Sequence, residues 1–196
     1  MPEQPLAGRA ALVLGVERPD GRRAAVALAE AGADVAVVTL SEETPAEFAA
    51  NSTANEFWAL GRKGIALTSD SGETTVREAI ADATVELGPI RILVYHAPEP
   101  LPRATFDGLR SDPAIVVIVG DDATPAEARA LLGWTRELAD AGLRANALVA
   151  TRSVADAAGP MLKEHHAPDS VELPAAIVYL TSDASAAVEG AVMVMD

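Results

Sequence analysis

Apolar residues in this chain gather into short unbroken runs and do not alternate with polar ones. Runs rich in Val, Ile, Leu and Ala recur at 10–15, 34–40, 64–70, 91–97, 114–120, 143–150 and 191–196. Seven runs without alternation predict strands buried on both faces, the signature of a parallel sheet. Segments with 3.6-residue periodicity lie between most of them, at 21–31, 45–60, 73–87, 125–141 and 170–180. Strands that alternate with helices in this way predict an α/β fold, a doubly wound parallel sheet of about seven strands. Thr44-Pro45 and Thr124-Pro125 each pair a cap residue with a proline suited to the first helical position, while Gly32, Gly61, Gly88 and Gly142 stand just past helix ends. One connection departs from the rhythm. Between the fourth and fifth strands, residues 98–113 read PEPLPRATFDGLRSDP, with four prolines and no helical stripe. A parallel crossover is normally a helix lying on the sheet, so the helix here is expected to be missing or much shortened.

Composition narrows the partners. The 196 residues carry 29 acidic and 15 basic side chains, a formal charge of −14. Such a surface repels phosphate backbones and anionic lipid, so neither nucleic acid nor membrane is expected as a partner. There is no cysteine, which removes disulfides, thiolate nucleophiles and zinc–thiolate sites from consideration. No apolar run reaches the roughly 20 residues of a membrane span and the first residues lack a signal pattern, so a cytoplasmic protein is expected. The length suits one domain, 1–196, with a sizeable core.

At this point the residues carry a resemblance. LAGRAALVLGVERPDGRRAAVALAEAGADVAVV, ALTSDSG, IRILVYHAP, GLRANALVA and AAIVYLTSDASAAVEGAVMVMD follow one another as in the short-chain dehydrogenase/reductase family across nearly the whole chain. The chain resembles a truncated and degenerate member. The resemblance implies a seven-stranded Rossmann sheet, a Thr-Gly-x-x-x-Gly-x-Gly cofactor turn after the first strand and an Asn-Asn-Ala-Gly stretch after the fourth. It also implies a catalytic Ser with Tyr-x-x-x-Lys.

The cofactor positions match in part. In a Rossmann turn, glycines let a pyrophosphate approach backbone amides at a helix N-terminus. Gly15 and Gly21 fit, but Leu14 replaces the threonine and Pro19 the middle glycine, removing an amide donor. Glu17 or Asp20 at about 5 Å from a phosphate charge would cost roughly 3 kcal/mol at an effective dielectric of about 20. Arg18, Arg22 and Arg23 oppose that cost, and Arg18 stands where some family members hold the 2′-phosphate of NADP. The same five charges also read as a solvated turn. Asp70 matches the family aspartate that contacts adenine and also reads as a helix cap; Thr39 and Leu40 stand where an acid would accept from an NAD ribose. Tyr95-His96-Ala97-Pro98 keeps only Ala97 of the family stretch. No cofactor, or weak NAD(P) binding with NADP favoured over NAD, is the expectation.

The proton-transfer set is absent. Family chemistry needs a Tyr acid whose pKa is lowered by a Lys one helical turn later. Tyr95 and Tyr179 are followed four residues on by Glu99 and Asp183. Counting back from ALLGWTREL puts Thr124 and Ala128 at the Tyr and Lys places. Tyr95 and His96 remain as weak candidates for an unconventional acid, His96 reading more simply as a hydrogen-bonded strand-end histidine. Asn146 matches a structural family asparagine.

Other chemistries find little support. Asp121, Asp122 and Glu127 could ligate a cation, but Asp121 and Asp122 read more simply as a loop and cap at the next helix. Lys163-Glu164-His165-His166 reads as a loop without a third spaced ligand, so no metal is expected. Ser153, His165 and Asp169 lack a nucleophile-elbow sequence. Trp58 and Trp134 are expected in the core or an interface. The resulting expectation is a non-catalytic structural or regulatory subunit of a homo-oligomer, or of a hetero-oligomer with a catalytic relative. The missing crossover helix is expected to leave apolar surface that a partner covers. The alternatives are an NAD(P)-dependent oxidoreductase with an unconventional acid, and a nucleotide sensor.

Overall fold

A computed structural model describes residues 4–107, 109, 113–158, 163–166 and 172–195. Its strands are β1 (Ala10–Leu14), β2 (Asp34–Thr39), β3 (Gly64–Thr68), β4 (Ile90–Tyr95), β5 (Ala114–Val119), β6 (Ala145–Val149), β7 (Lys163–His166) and β8 (Ala191–Val194). They form one sheet in the order β3-β2-β1-β4-β5-β6-β8-β7, and every pairing is parallel. All seven expected strands are present. The eighth, β7, corrects the reading of Lys163–His166 as a loop: it pairs with β8 at the sheet edge, from Lys163↔Ala191 to His166↔Val194. A polar four-residue strand at an edge gives no hydrophobic run to read.

The helices are α1 (Pro19–Glu30), α2 (Thr44–Ala59), α3 (Glu73–Leu87), α4 (Pro125–Asp140), α5 (Arg152–Ala158) and α6 (Leu173–Thr181). Side chains along each strand alternate between two cores. Leu12, Leu14, Leu93, Tyr95, Ile115 and Val117 pack under α3 and α4, whereas Val13, Ile92, Val94, Val116 and Ile118 pack under α1, α2 and α6. This is the double winding that continuous apolar strands predict. The glycines past the helix ends take positive φ as expected, from +72° at Gly61 to +104° at Gly32. The N-cap of α2 is Glu43 and not Thr44, which is already helical. Helix α5 went unread because seven residues present no apolar stripe.

The β4–β5 connection has the expected form. Among its described residues the regular structure is a single 3-10 turn, Arg103–Phe106. The sheet beneath it is nevertheless covered by this chain, which corrects the expectation of exposed apolar surface. Leu101, Phe106 and Trp134 are buried against it. Trp134 meets Tyr95 edge-on with ring centroids 5.0 Å apart and Phe106 at 5.8 Å. Aromatic area stands in for the absent helix. Trp58 behaves oppositely: it is 68% exposed on α2 with Phe48 at 71%.

Asn146 ties β6 to β8. Its Nδ2 donates to the Val188 carbonyl and its Oδ1 accepts from the Ala191 amide, both at 3.0 Å.

Candidate functional site

Open α/β sheets bind ligands outside the carboxyl ends of their strands, where the strand order reverses. Here the reversal lies between β1 and β4, so the crevice is built from the β1–α1 turn, the Tyr95-His96-Ala97 stretch and the β5–α4 loop. Gly15 and Gly21 give the turn its shape. Gly15 has φ +91°, and a methyl group there would lie 1.9 Å from the His96 carbonyl oxygen; one on Gly21 would lie 2.2 Å from the Gly15 oxygen. Both glycines are needed for backbone packing whether or not a ligand is bound. Pro19 is the first residue of α1, a position that suits its missing N–H, with Arg18 as N-cap in extended conformation. The helix thus begins two residues before the expected start at Gly21.

The charges of the turn are engaged within the protein. The Leu40 amide donates to Glu17 Oε2 at 3.2 Å. Arg18 Nη1 donates to both Asp122 oxygens, at 3.2 and 3.4 Å. Arg22 pairs with Glu56, and Arg23 with Asp20 at 3.2 Å. Sequence reading missed two of these partners. Glu17 carries a carboxylate to the end of β2, beside the Thr39–Leu40 place that lacks one in the linear sequence. Asp122 is drawn across the crevice by a residue 104 positions away.

His96 lies below the Arg18–Asp122 pair. It is only 3% exposed, and neither ring nitrogen has a hydrogen-bond partner. A methyl group on Gly120 would be 3.0 Å from His96 Nε2 and 2.7 Å from Asp122 Oδ1, so ring and carboxylate converge over that glycine. Burial foremost, and then the Arg18 charge, lower the imidazole pKa from 6.5 to about 4, against the opposing pull of Asp20, Asp122 and Asp121. At neutral pH the ring is uncharged. Tyr95 belongs to the core. Its hydroxyl donates to the Glu99 carbonyl, and burial together with the Glu99 charge raises its pKa.

Thr124 and Ala128, the places that the resemblance gives to the catalytic pair, have structural roles. Thr124 is the N-cap of α4: its hydroxyl accepts from the Glu127 amide at 3.3 Å, and its own amide donates to Glu127 Oε2 at 2.7 Å. This capping box corrects the reading of Asp121 and Asp122 as the cap. The hydrogen bond from the Thr124 amide holds the Glu127 carboxyl below its ordinary pKa. Asp121, Asp122 and Glu127 are therefore not assembled as ligands, since Asp122 faces Arg18 and Glu127 closes the cap. Ala128 is fully buried under the sheet.

The adenine-side positions are similarly occupied. Asp70 accepts from the Thr75 hydroxyl and, at 2.7 Å, from the Gly72 amide; these bonds lower its pKa and tie it to the start of α3, whose N-cap is Gly72 and not Asp70. Thr39 is buried and exchanges hydrogen bonds with Ser41, donating to its carbonyl at 3.2 Å and accepting from its amide at 3.3 Å. Ala97 is buried at the crevice floor. Asp169 and the side chains of Ser153, His165 and His166 lie outside the described residues, and with them the triad and the paired histidines. No described helix is long and apolar enough to cross a membrane.

These residues can be tested against a dinucleotide. In the arrangement described they do not fit its pyrophosphate: Pro19 offers no amide, Arg18 is already paired, and the negative charges of Asp20, Asp121 and Asp122 act on the crevice at His96.

No family model matches the chain. It is 36% identical over 93 residues to 2-dehydro-3-deoxy-D-gluconate 5-dehydrogenase of Dickeya dadantii, a stretch covering 47% of this chain and 34% of that protein. It is 37% identical over 106 residues to a short-chain dehydrogenase/reductase of Armillaria gallica, covering 54% of this chain and 40% of the relative. The match thus spans well under half the length of either relative. The structure of a blue fluorescent protein from a metagenomic library, in complex with NADPH, superposes with a TM-score of 0.73 at 22% identity, covering 97% of both chains. Sheet order, crevice position and these likenesses agree: the chain has the Rossmann-like fold of short-chain dehydrogenase/reductases and is similar to them in sequence over about half of its length.

Proposed function

We propose that the chain is a non-catalytic member of the short-chain dehydrogenase/reductase family, a structural or regulatory subunit whose Rossmann crevice is spanned by its own Arg18–Asp122 pair. One observation supports the reading: the two positions that the resemblance gives to the Tyr and Lys are a helix-capping hydroxyl, Thr124, and a core methyl group, Ala128. Neither can deliver a proton to a carbonyl or lower the pKa of a group that does. The substitutes are no better placed. His96 is neutral and capped by an ion pair, and the Tyr95 proton is held by a backbone carbonyl. Preference for NADP over NAD rests on Arg18 alone, and that guanidinium is paired with Asp122. A role within an assembly, with a second copy or a catalytically competent relative, is supported by Phe48 and Trp58 on the outer face of α2. Any cover for the sheet is already supplied from within.

The test is to mix the purified chain with NADPH and a panel of aldehydes and ketones and follow the nicotinamide absorbance, with native mass measurement alongside. Expected are no carbonyl-dependent oxidation and a species heavier than one chain. Steady turnover by the isolated chain ends the non-catalytic reading; a monomer at micromolar concentration ends the subunit reading.

A further inference from the structure

We propose that the free edge of β3 is a self-association surface, where a second copy of this chain adds its own β3 in antiparallel fashion and joins the two sheets into one. The inference deepens the subunit reading and rests on it, naming the partner and the strand it meets. β3 pairs with β2 on one side, and among the described residues no strand pairs with it on the other. The register decides which backbone groups are free. The Val35 amide donates to the Lys63 carbonyl at 2.9 Å and the Ser69 amide to the Thr39 carbonyl at 3.0 Å, so the odd-numbered residues face β2 and the amides and carbonyls of Gly64, Ala66 and Thr68 face outward. Gly64 is buried beneath α2, where a methyl group on it would lie 2.6 Å from the Ala54 carbonyl oxygen. Exposure then rises along the strand to Thr68, which is open to solvent. The accessible donors and acceptors are those of Ala66 and Thr68.

The two ends of the sheet differ in how they meet water. Edge strands that stay single are blunted by charge, proline or a bulge. β7, at the far edge, reads Lys-Glu-His-His, whereas β3 reads Gly-Ile-Ala-Leu-Thr, with no charge and no proline, and its pairing with β2 runs without a bulge. A second copy is the occupant that fits, because this edge is complementary to itself. With a twofold axis at Leu67, Ala66 of each copy faces Thr68 of the other, and the two facing pairs exchange about four hydrogen bonds. Leu67 then faces Leu67 in the closer, non-hydrogen-bonded position. Ile65 and Leu67 both point to the core under α3 and α4 and are only partly buried there, so their contact covers apolar surface that one chain leaves open. Charge agrees with this register. It brings the start of one β3, at Lys63, alongside the end of the other, at Asp70, twice over; the Lys63 side chain is 52% exposed and Asp70 is exposed.

Native mass measurement over a range of concentrations, on the purified chain and three variants, tests the edge. The parent is expected as a pair of chains at micromolar concentration. Thr68→Pro removes an outward N–H and leaves the bonds to β2 in place, so it is expected to self-associate at least about tenfold more weakly with an unchanged circular dichroism spectrum. Cross-linking gives a second readout that does not depend on how the strand accepts a proline. The chain has no cysteine, so an introduced thiol can react only with its counterpart in another copy. Leu67→Cys is expected to form a covalent dimer on mild oxidation with diamide, because facing Cα atoms in that position lie about 4.5 Å apart. Ile65→Cys, on the same face but two residues from the axis, is expected to give about tenfold less. A monomeric parent overturns the edge and the subunit reading together. A parent that assembles while Thr68→Pro assembles equally well, or while Leu67→Cys cross-links no better than Ile65→Cys, overturns the edge alone and leaves the subunit reading standing.

Discussion

Acidification from pH 7 to pH 5 is expected to weaken the fold through His96, and the size of the effect follows from its surroundings. The native imidazole titrates at about 4 because it is buried and faces Arg18, whereas in the unfolded chain it titrates near 6.5. Between these values the unfolded state holds a proton that the native state does not, so unfolding becomes easier as pH falls. The stabilisation is fully present above pH 6.5, declines as pH falls below it, and is gone by about pH 4. At pH 5 the unfolded form has gained most of its proton and the native form almost none, which corresponds to about 2 kcal/mol. His96→Leu keeps the volume and cannot titrate. Urea unfolding of parent and variant at pH 7 and pH 5 gives four free energies. The parent is expected to lose about 2 kcal/mol more than the variant over this range. At pH 7 the variant should be as stable as the parent or more so, because it no longer buries two unsatisfied nitrogens. Equal losses in parent and variant would show that the ring is solvated or hydrogen-bonded in solution, and the account of the crevice would fall with it.

Further substitutions address the fold. Trp134→Ala should cost about 3–5 kcal/mol in urea unfolding, because the ring seals the sheet with Tyr95 and Phe106; Trp134→Phe should recover most of this, since the indole N–H has no partner. Trp58→Ala, at an exposed position, is expected within about 0.5 kcal/mol of the parent. Gly15→Ala drives a methyl group into the His96 carbonyl at a positive φ and should cost more than about 3 kcal/mol by the same measurement, whereas Gly61→Ala, with open space around it, should cost only about 1–2 kcal/mol.

The sequence is most readable where one physical requirement dominates. Strands buried on both faces must be apolar throughout, so β1, β2, β4, β5 and β6 stand out as runs, and glycines at positive φ mark where helices end. Strand β7 escapes because Lys-Glu-His-His at a sheet edge obeys no apolar pattern, and α5 because seven residues cannot display a stripe. The crevice is harder still. Its composition is legible, down to the acids at Glu17, Asp20, Asp121 and Asp122, but its pairings are not. Arg18 and Asp122 are separated by 104 residues, and Glu17 finds the Leu40 amide only after β1 and β2 lie side by side. Linear sequence gives the charge of each group and not its partner. The cover over the β4–β5 region shows the same limit, since PEPLPRATFDG announces the absent helix without showing that Leu101 and Phe106 turn inward onto Trp134.

Restoring the family's catalytic pair tests whether the vacated places are still catalytic in geometry or have become structural. In Thr124→Tyr with Ala128→Lys, the tyrosine removes a hydroxyl that closes the cap with Glu127, at a cost of about 1 kcal/mol. The lysine is the larger burden. Ala128 has no exposed surface and touches the core under α4, so a longer side chain must displace packed neighbours, and an ammonium buried without a partner costs several kcal/mol more. The double variant is therefore expected to lose more than about 4 kcal/mol of unfolding free energy and to show no carbonyl-dependent NADPH oxidation. Ala128→Lys alone should account for most of the loss, with thermal unfolding confirming the order of the two single variants. A double variant that unfolds like the parent and reduces a carbonyl would mean that the first turn of α4 faces the crevice with room for both side chains. The structural account of Thr124 and Ala128, and the non-catalytic reading built on it, would then be wrong at its root.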